Sequence, residues 1–437
     1  MTRTERFHDS AFLAPGLLAA PPGWQPLRYV LDPERFFAAA HRRHGDIFTL
    51  RMLGQRWIVL ANHEHVAELF KQPPETLDAG QASRPFRPLI GTSNMLMLDG
   101  EDYLHRRRLV LPGFHAQRMS SYEEIVRRIA QEHIATWPLG EPTAIYERLS
   151  ALVFQIMLRC VFGIQQERQP LVDALRQMMP WITDTRRVLT FFLLGPNHLT
   201  RLPRYRAMLA RLDRNILAEI ELRRACLDLE QREDILSLLV QAHGPDGSGL
   251  ADRDLRDELI TLLFAGHENT TALLAWTMHE LARAPLHQDK LAARDERFAA
   301  AVLAETLRLR PPVPLLARRL RRPLTLGGYD LPAGSNLCPC ALLVHRDPQI
   351  YANPWTFDPN RFLEHQPAAS EWFPYGAGIR RCIGASFAQL EARIILQEII
   401  DRLRFRPRHM RPEPTKARAI VLVPARDTRL TLFRRPQ

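Results

Sequence analysis

A mainly helical chain with a few small β-sheets, an α+β arrangement in one domain, is what this sequence predicts, on three observations. Apolar residues recur at helical spacing through residues 120–240, as at Leu149, Leu152, Val153, Ile156 and Met157, with few strand signals among them. After the breaker cluster Gly244-Pro-Asp-Gly-Ser-Gly249, a helix of about thirty residues runs from near Asp252 to Arg283 with scarcely a polar gap. A helix apolar nearly all round belongs in a core. Strand signals are short and sit near the start and after Pro311-Pro312.

The elements follow in order. Residues 1–25 read as an irregular tail whose apolar stretch, Ala11 to Ala20, holds Pro15 and Gly16 and is half the length of a membrane span. Ile47 to Met52 and Trp57 to Ala61 alternate as strands about a turn at Leu53-Gly54-Gln55, and Asn62 caps a helix after them. A second long helix covers Glu296 to Leu309 and stops at the prolines. Short strands with Gly and Pro turns lead to Leu343, and a last helix runs from Ala385 to Leu403. No repeat or linker divides the 437 residues, so one domain, 1–437, is the economical reading.

The basic balance, +11, could attract nucleic acid, an anionic membrane or an acidic partner. Only Lys71, Lys290 and Lys416 are lysines, and the arginines are spread along the chain without the clustered stripe of a nucleic-acid binder. Nucleic-acid binding is therefore not expected. Five cysteines without paired spacing suit a reducing cytoplasm. Cys338-Pro339-Cys340 is too tight for the usual metal pair and reads as part of a buried strand, Asn336 to Val344. No segment is long and uncharged enough to span a bilayer.

Cys382 is different. It lies in Phe373-Pro-Tyr-Gly-Ala-Gly378-Ile-Arg380-Arg-Cys382-Ile-Gly384, a glycine-rich loop just before a helix. Glycines let backbone N–H groups curl toward a thiolate, and the helix dipole favours its charge. Gly at −4, Arg at −2 and Gly at +2 coincide by chance on the order of 3 times in 10,000 per cysteine. Glu305 and Arg308 stand at i, i+3 on one helix face, close enough to pair. Midway along the long apolar helix, Ala265-Gly266-His267-Glu268-Asn269-Thr270-Thr271 brings polar residues into a core, and the small pair leaves room for a ligand against the backbone.

These motifs resemble the cytochrome P450 family, in their order, over nearly the full chain. The family's cofactor loop, Phe-x-x-Gly-x-Arg-x-Cys-x-Gly, is matched by Tyr375, Gly378, Arg380, Cys382 and Gly384, with Tyr375 departing from the usual Phe. The resemblance implies haem b, iron protoporphyrin IX, held between the long helix and the loop, with Cys382 as axial ligand and Arg380 on a propionate. Arg107, in Tyr103-Leu-His-Arg-Arg107, and Arg318 match the other propionate arginines, and Tyr103 stands where the family has an aromatic or imidazole that also reaches a propionate. Glu305, Arg308 and Arg361, the last from Phe357-Asp-Pro-Asn-Arg361-Phe362, match the family's structural network.

In the family's Ala-Gly-x-Asp/Glu-Thr pattern the acid and alcohol deliver protons for dioxygen activation. Ala265 and Glu268 match, Asn269 stands in place of the alcohol, and Thr270 follows, turned by about 100°. Glu268 also admits a plain structural reading as a buried acid paired to a neighbour. The implied activity is monooxygenation: hydroxylation or epoxidation of a mainly apolar small molecule of fatty-acid, terpenoid or polyketide-like kind. Electrons would come from a separate ferredoxin or flavodoxin with its NAD(P)H reductase, docking near Arg106, Arg108 and Arg381 on a monomer in the cytoplasm. By position, the pocket would be lined by Met95, Leu96, Met97, Phe264, Val313, Leu315 and Ile420. A peroxide-using oxygenase or a rearranging enzyme on the same fold is the alternative, and a non-catalytic haem sensor stands further off.

Overall fold

The computed structural model describes residues 15–16, 23–164, 168–244 and 247–436. Most of the expected N-terminal tail lies outside the described residues. Within them, helices dominate. The longest, Asp252–Arg283, is buried over almost its whole length and is called the central helix below. Ile145–Phe162 packs along it and Ala385–Arg402 contacts it from another side. Glu296–Leu309 also packs on it and begins where predicted, its Asp295 side chain capping the Phe298 N–H.

The main sheet has five strands: β1 (Ile47–Met52), β2 (Gln55–Leu60), β3 (Leu77–Asp78), β4 (Arg318–Leu320) and β5 (Asn336–Pro339). In space they run β1-β2-β5-β4-β3. β1 and β2 pair antiparallel through a two-residue turn in which Leu53 and Gly54 both have positive φ, 52° and 72°. Gln55 therefore belongs to the strand and not to the turn. β2 pairs parallel with β5, which ties the start of the chain to the segment after the prolines. The run expected as one strand to Val344 breaks at Cys340, because Ala341–Val344 turns into a short helix. Cys338 and Cys340 are fully buried, as the bland reading of them required.

Glu305 and Arg308 form a bidentate pair, 2.7 and 2.8 Å, with no exposed surface on either side chain. Arg361 approaches Glu305 at 3.5 Å, and the Asp358 N–H donates to it. Arg308 also donates to the carbonyls of His345 and Pro354, and the Phe373 N–H donates to the His345 ring. The predicted triad thus meets, and through His345 it fixes the start of the cysteine loop.

Candidate active site

The cysteine loop is shaped by two positive-φ glycines, Gly376 and Gly378, conformations that other residues rarely adopt. The Cys382 N–H donates to the Tyr375 carbonyl at 2.8 Å, closing the loop one residue pair before the helix Ala385–Arg402. Cys382 keeps accessible surface, yet the protein packed round it raises its thiol above the ordinary value. The Gly384 N–H and the charges of Arg107 and Arg381 oppose that rise, as a site built for a thiolate requires. A bound metal cation would complete the deprotonation.

Three arginines gather beside this loop. Arg380 pairs with Asp99 at 2.6 Å and lies over the Tyr103 ring at 3.5 Å. Arg107 donates to the Tyr103 hydroxyl and to the Arg381 carbonyl, both at 3.0 Å. The Tyr103 hydroxyl in turn donates to the Ile379 carbonyl at 2.7 Å. Tyr103 thus ties the loop to Arg107 through its hydroxyl. Among the described residues Arg318 forms no ion pair, and its hydrogen bond goes to the Ala317 carbonyl. Burial, and then the nearby charge of Arg380, push Arg318 down to about 10. The carboxylate near this guanidinium, Asp99, is already paired with Arg380, and the carboxylates of a haem fit the remaining need.

On the central helix one short strip breaks the burial. Ala265 is exposed and Phe264 and Asn269 are half-buried, while Glu268, Thr270 and Thr271 are buried. Asn269 donates from Nδ2 to the Ala265 carbonyl at 2.9 Å, leaving its buried Oδ1 without a partner among the described residues. Gly266 does not open space for a ligand: a Cβ there would stand 2.5 Å from the Met157 methyl, so this glycine seats a neighbouring helix. Thr270 turns away from the strip toward Glu391 of the helix Ala385–Arg402, whose carboxyl burial raises to about 8. The structure does not bring Thr270 to Ala265 and Asn269. Glu268 is 4% exposed, accepts from the Tyr146 hydroxyl at 2.9 Å and faces His267 at 3.3 Å.

The predicted lining residues divide. Leu96 and Ile420 are exposed, Met97, Val313 and Leu315 are half-buried, and Met95 is buried. The segment 91–97 is riveted to the central helix by acids that sequence reasoning missed. Asp257 accepts from the Thr92 and Ser93 N–H groups at 2.7 and 2.8 Å, and Glu258 from Met95 at 2.7 Å. Arg106 belongs to this rivet, pairing with Asp254 at 2.9 Å and donating to the Ser93 carbonyl. It is buried, so the expectation that it forms part of a docking face is corrected; Arg108 and Arg381 are exposed. Their signal in the sequence was Asp254-x-x-Asp257-Glu258, three acids opening a helix too apolar to carry them unpaired.

The comparisons agree with this arrangement. A family model described as Cytochrome P450 matches residues 27–432. The Mycobacterium tuberculosis protein named cytochrome P450 135B1 is 35% identical over 409 residues, 91% of this chain and 86% of its own length. Cytochrome P450 137 of the same organism is 31% identical over 437 residues, 95% and 92% of the two chains. Neither name specifies a substrate. Among solved structures, the retinoic acid bound cyanobacterial CYP120A1 superposes with a TM-score of 0.83 at 22% identity, over 98% of this chain and 100% of that one. The haem domain of cytochrome P450DA gives 0.82 at 23%, over 97% and 98%. At these identities the two structures speak for the fold alone.

Proposed function

This chain belongs to the cytochrome P450 family, and from that premise we propose that it hydroxylates or epoxidises a mainly apolar small molecule of fatty-acid, terpenoid or polyketide-like kind. Membership makes it a haem-thiolate monooxygenase that uses dioxygen and a redox partner. The finer reading is supported by the strip Phe264, Ala265 and Asn269, where an otherwise buried helix opens, together with a Cys382 that keeps accessible surface.

Haem b, bound to Cys382, supplies the activation of dioxygen. The protein's share is holding and orienting. Arg318 and Arg380 would neutralise the haem carboxylates, while Arg107 and Tyr103 fix the loop through the Arg381 and Ile379 carbonyls. Glu305, Arg308 and Arg361 brace that loop from behind. Asn269 occupies the place of the family's alcohol and bonds the Ala265 carbonyl through its amide, and its free Oδ1 is an acceptor for water or for a substrate hydroxyl. Leu96, Met97, Val313, Leu315 and Ile420 supply apolar surface that favours an apolar substrate.

Electrons come in this reading from a separate acidic ferredoxin or flavodoxin with its NAD(P)H reductase, meeting exposed Arg108 and Arg381 beside the loop. A cytoplasmic monomer fits the described cysteines, all free, and no described helix is long and apolar enough to cross a membrane. The test begins with the reduced, carbon-monoxide-treated protein, which should give the thiolate-type Soret band and lose it on Cys382→Ser. Ferric protein is then titrated with fatty acids, terpenoids and macrocyclic polyketides. A saturable Soret shift with one class, followed by its oxygenation with dioxygen and reductant, is expected. Turnover with peroxide alone would move the reading to a peroxide-using enzyme.

A further inference from the structure

His267 sits on the central helix between Gly266 and Glu268, and nothing in the cofactor reading uses it. It is 2% exposed. Its Nε2 lies 3.0 Å from the Ser150 carbonyl and 3.1 Å from the Ser150 hydroxyl, on the helix Ile145–Phe162. Its Nδ1 lies 3.3 Å from Glu268 Oε1, and among the described residues neither of these two buried atoms has another partner. The other carboxylate oxygen, Oε2, already accepts from Tyr146.

Protons can be counted from this geometry. A carbonyl only accepts, so Nε2 must carry hydrogen toward Ser150. A neutral ring then has a lone pair at Nδ1, facing the lone pairs of Oε1. That contact becomes favourable only when one proton lies between them, on an imidazolium or on a carboxylic acid. The surroundings hold the pair in place. The Phe154 ring meets the imidazole edge-on at 5.9 Å, Met157 fills the space beside Gly266, and Arg418 lies over the Tyr146 ring at 4.5 Å. The charged or titratable groups facing Glu268 are thus His267, Tyr146 and Arg418, with Ser150 behind the ring; Glu391 faces Thr270 on the other side of the helix. Burial raises the Glu268 carboxyl, and His267, Arg418 and Tyr146 together outweigh it and hold it below the ordinary carboxylate value.

We propose that His267 is a positioning residue that shares one proton with Glu268 between Nδ1 and Oε1, making this buried pair the proton store one helix position from Asn269. On delivery the proton leaves from Oε1 to water in the space lined by Ala265 and Asn269. The pair is left as a neutral, Nε2-protonated imidazole and a carboxylate. The inference rests on the monooxygenase reading above and assigns a role to a residue outside the acid and alcohol positions.

The test uses holoenzyme labelled with ¹⁵N-histidine, in the diamagnetic carbon monoxide adduct, with His267→Gln to assign the resonances. Nε2 should be protonated from pH 6 to pH 8, and Nδ1 should show a shared or bound proton that Glu268→Gln abolishes. A free imine signal at Nδ1, or an unprotonated Nε2 accepting from the Ser150 hydroxyl, overturns the proposal. Coupling supplies the second readout. His267→Gln keeps an N–H beside the carboxylate but no titrating nitrogen. Its coupled turnover should fall by on the order of a hundredfold, the low end of a positioned acid's contribution. Released peroxide and the solvent deuterium effect should rise with it. Unchanged coupling and pH profile in this variant refute the role even where thermal stability drops. Absence of a thiolate Soret band or of any substrate oxidation in the parent protein would instead strike the monooxygenase reading itself.

Discussion

Replacing Glu258 with glutamine should remove one proton's worth of pH dependence from stability. The Glu258 side chain has no exposed surface; it accepts from the Met95 N–H and stands 3.6 Å from Arg106. Burial outweighs both and raises its carboxyl from 4.5 to about 7. A displacement of that size corresponds to about 3 kcal/mol between the two protonation states. The acid is raised in the folded state, so its contribution is complete below pH 4.5. It is lost progressively as pH climbs to about 7 and stays lost above that. Glutamine keeps an oxygen for Met95 but cannot ionise. Glu258→Gln should therefore track the parent at low pH and exceed it by up to about 3 kcal/mol at pH 8, less whatever Arg106 loses. Urea unfolding of both proteins across pH 4 to 8 measures this as a difference. A difference constant in pH would refute the argument, because it would mean that Glu258 stays ionised throughout, held by Arg106.

Arg318→Met should act in opposite directions on two states: apo-protein gains thermal stability by losing a half-buried charge that forms no ion pair among the described residues, while haem passes faster to a scavenging protein. Faster release without a stabilised apo-protein would count against the unpaired-guanidinium account. Glu305→Gln breaks a fully buried bidentate pair and should cost about 3 to 5 kcal/mol in denaturant unfolding, whereas replacing Glu305 and Arg308 together by apolar residues should cost less. Gly266→Ala presses on Met157 and should cost about 1 kcal/mol or more, an effect that Met157→Ala in the same background should shrink in a double-mutant cycle.

The residues most legible in the sequence were those whose chemistry is local. Cys382 with its glycines, the i, i+3 pair Glu305 and Arg308, and the long apolar run of the central helix each carry their reason within a few positions. What sequence alone left open was rotation, which the neighbours of a helix decide. Gly266 looked like room for a ligand because the thioether that fills it comes from Met157, more than a hundred residues earlier. Thr270 stood one residue from the expected alcohol, yet helix Ala385–Arg402 claims that side. Arg106 and Arg107 are adjacent in sequence and point to different tasks: one is buried against Asp254, and the other holds the cysteine loop. Tyr146, which donates to Glu268 across 122 positions, had no signal at all.

Asp99 carries a consequence for how the protein is made. Its carboxylate accepts from the N–H groups of Ala79, Gly80 and Gln81, opening the short helix Ala79–Ser83, and from Arg380, 281 residues later. During synthesis the first half of that joint is available early, while its cation leaves the ribosome 281 residues later. The nascent protein therefore waits with an anion where the finished one has a neutral pair. Both halves of the joint come together only once the loop that carries Cys382 has itself been made.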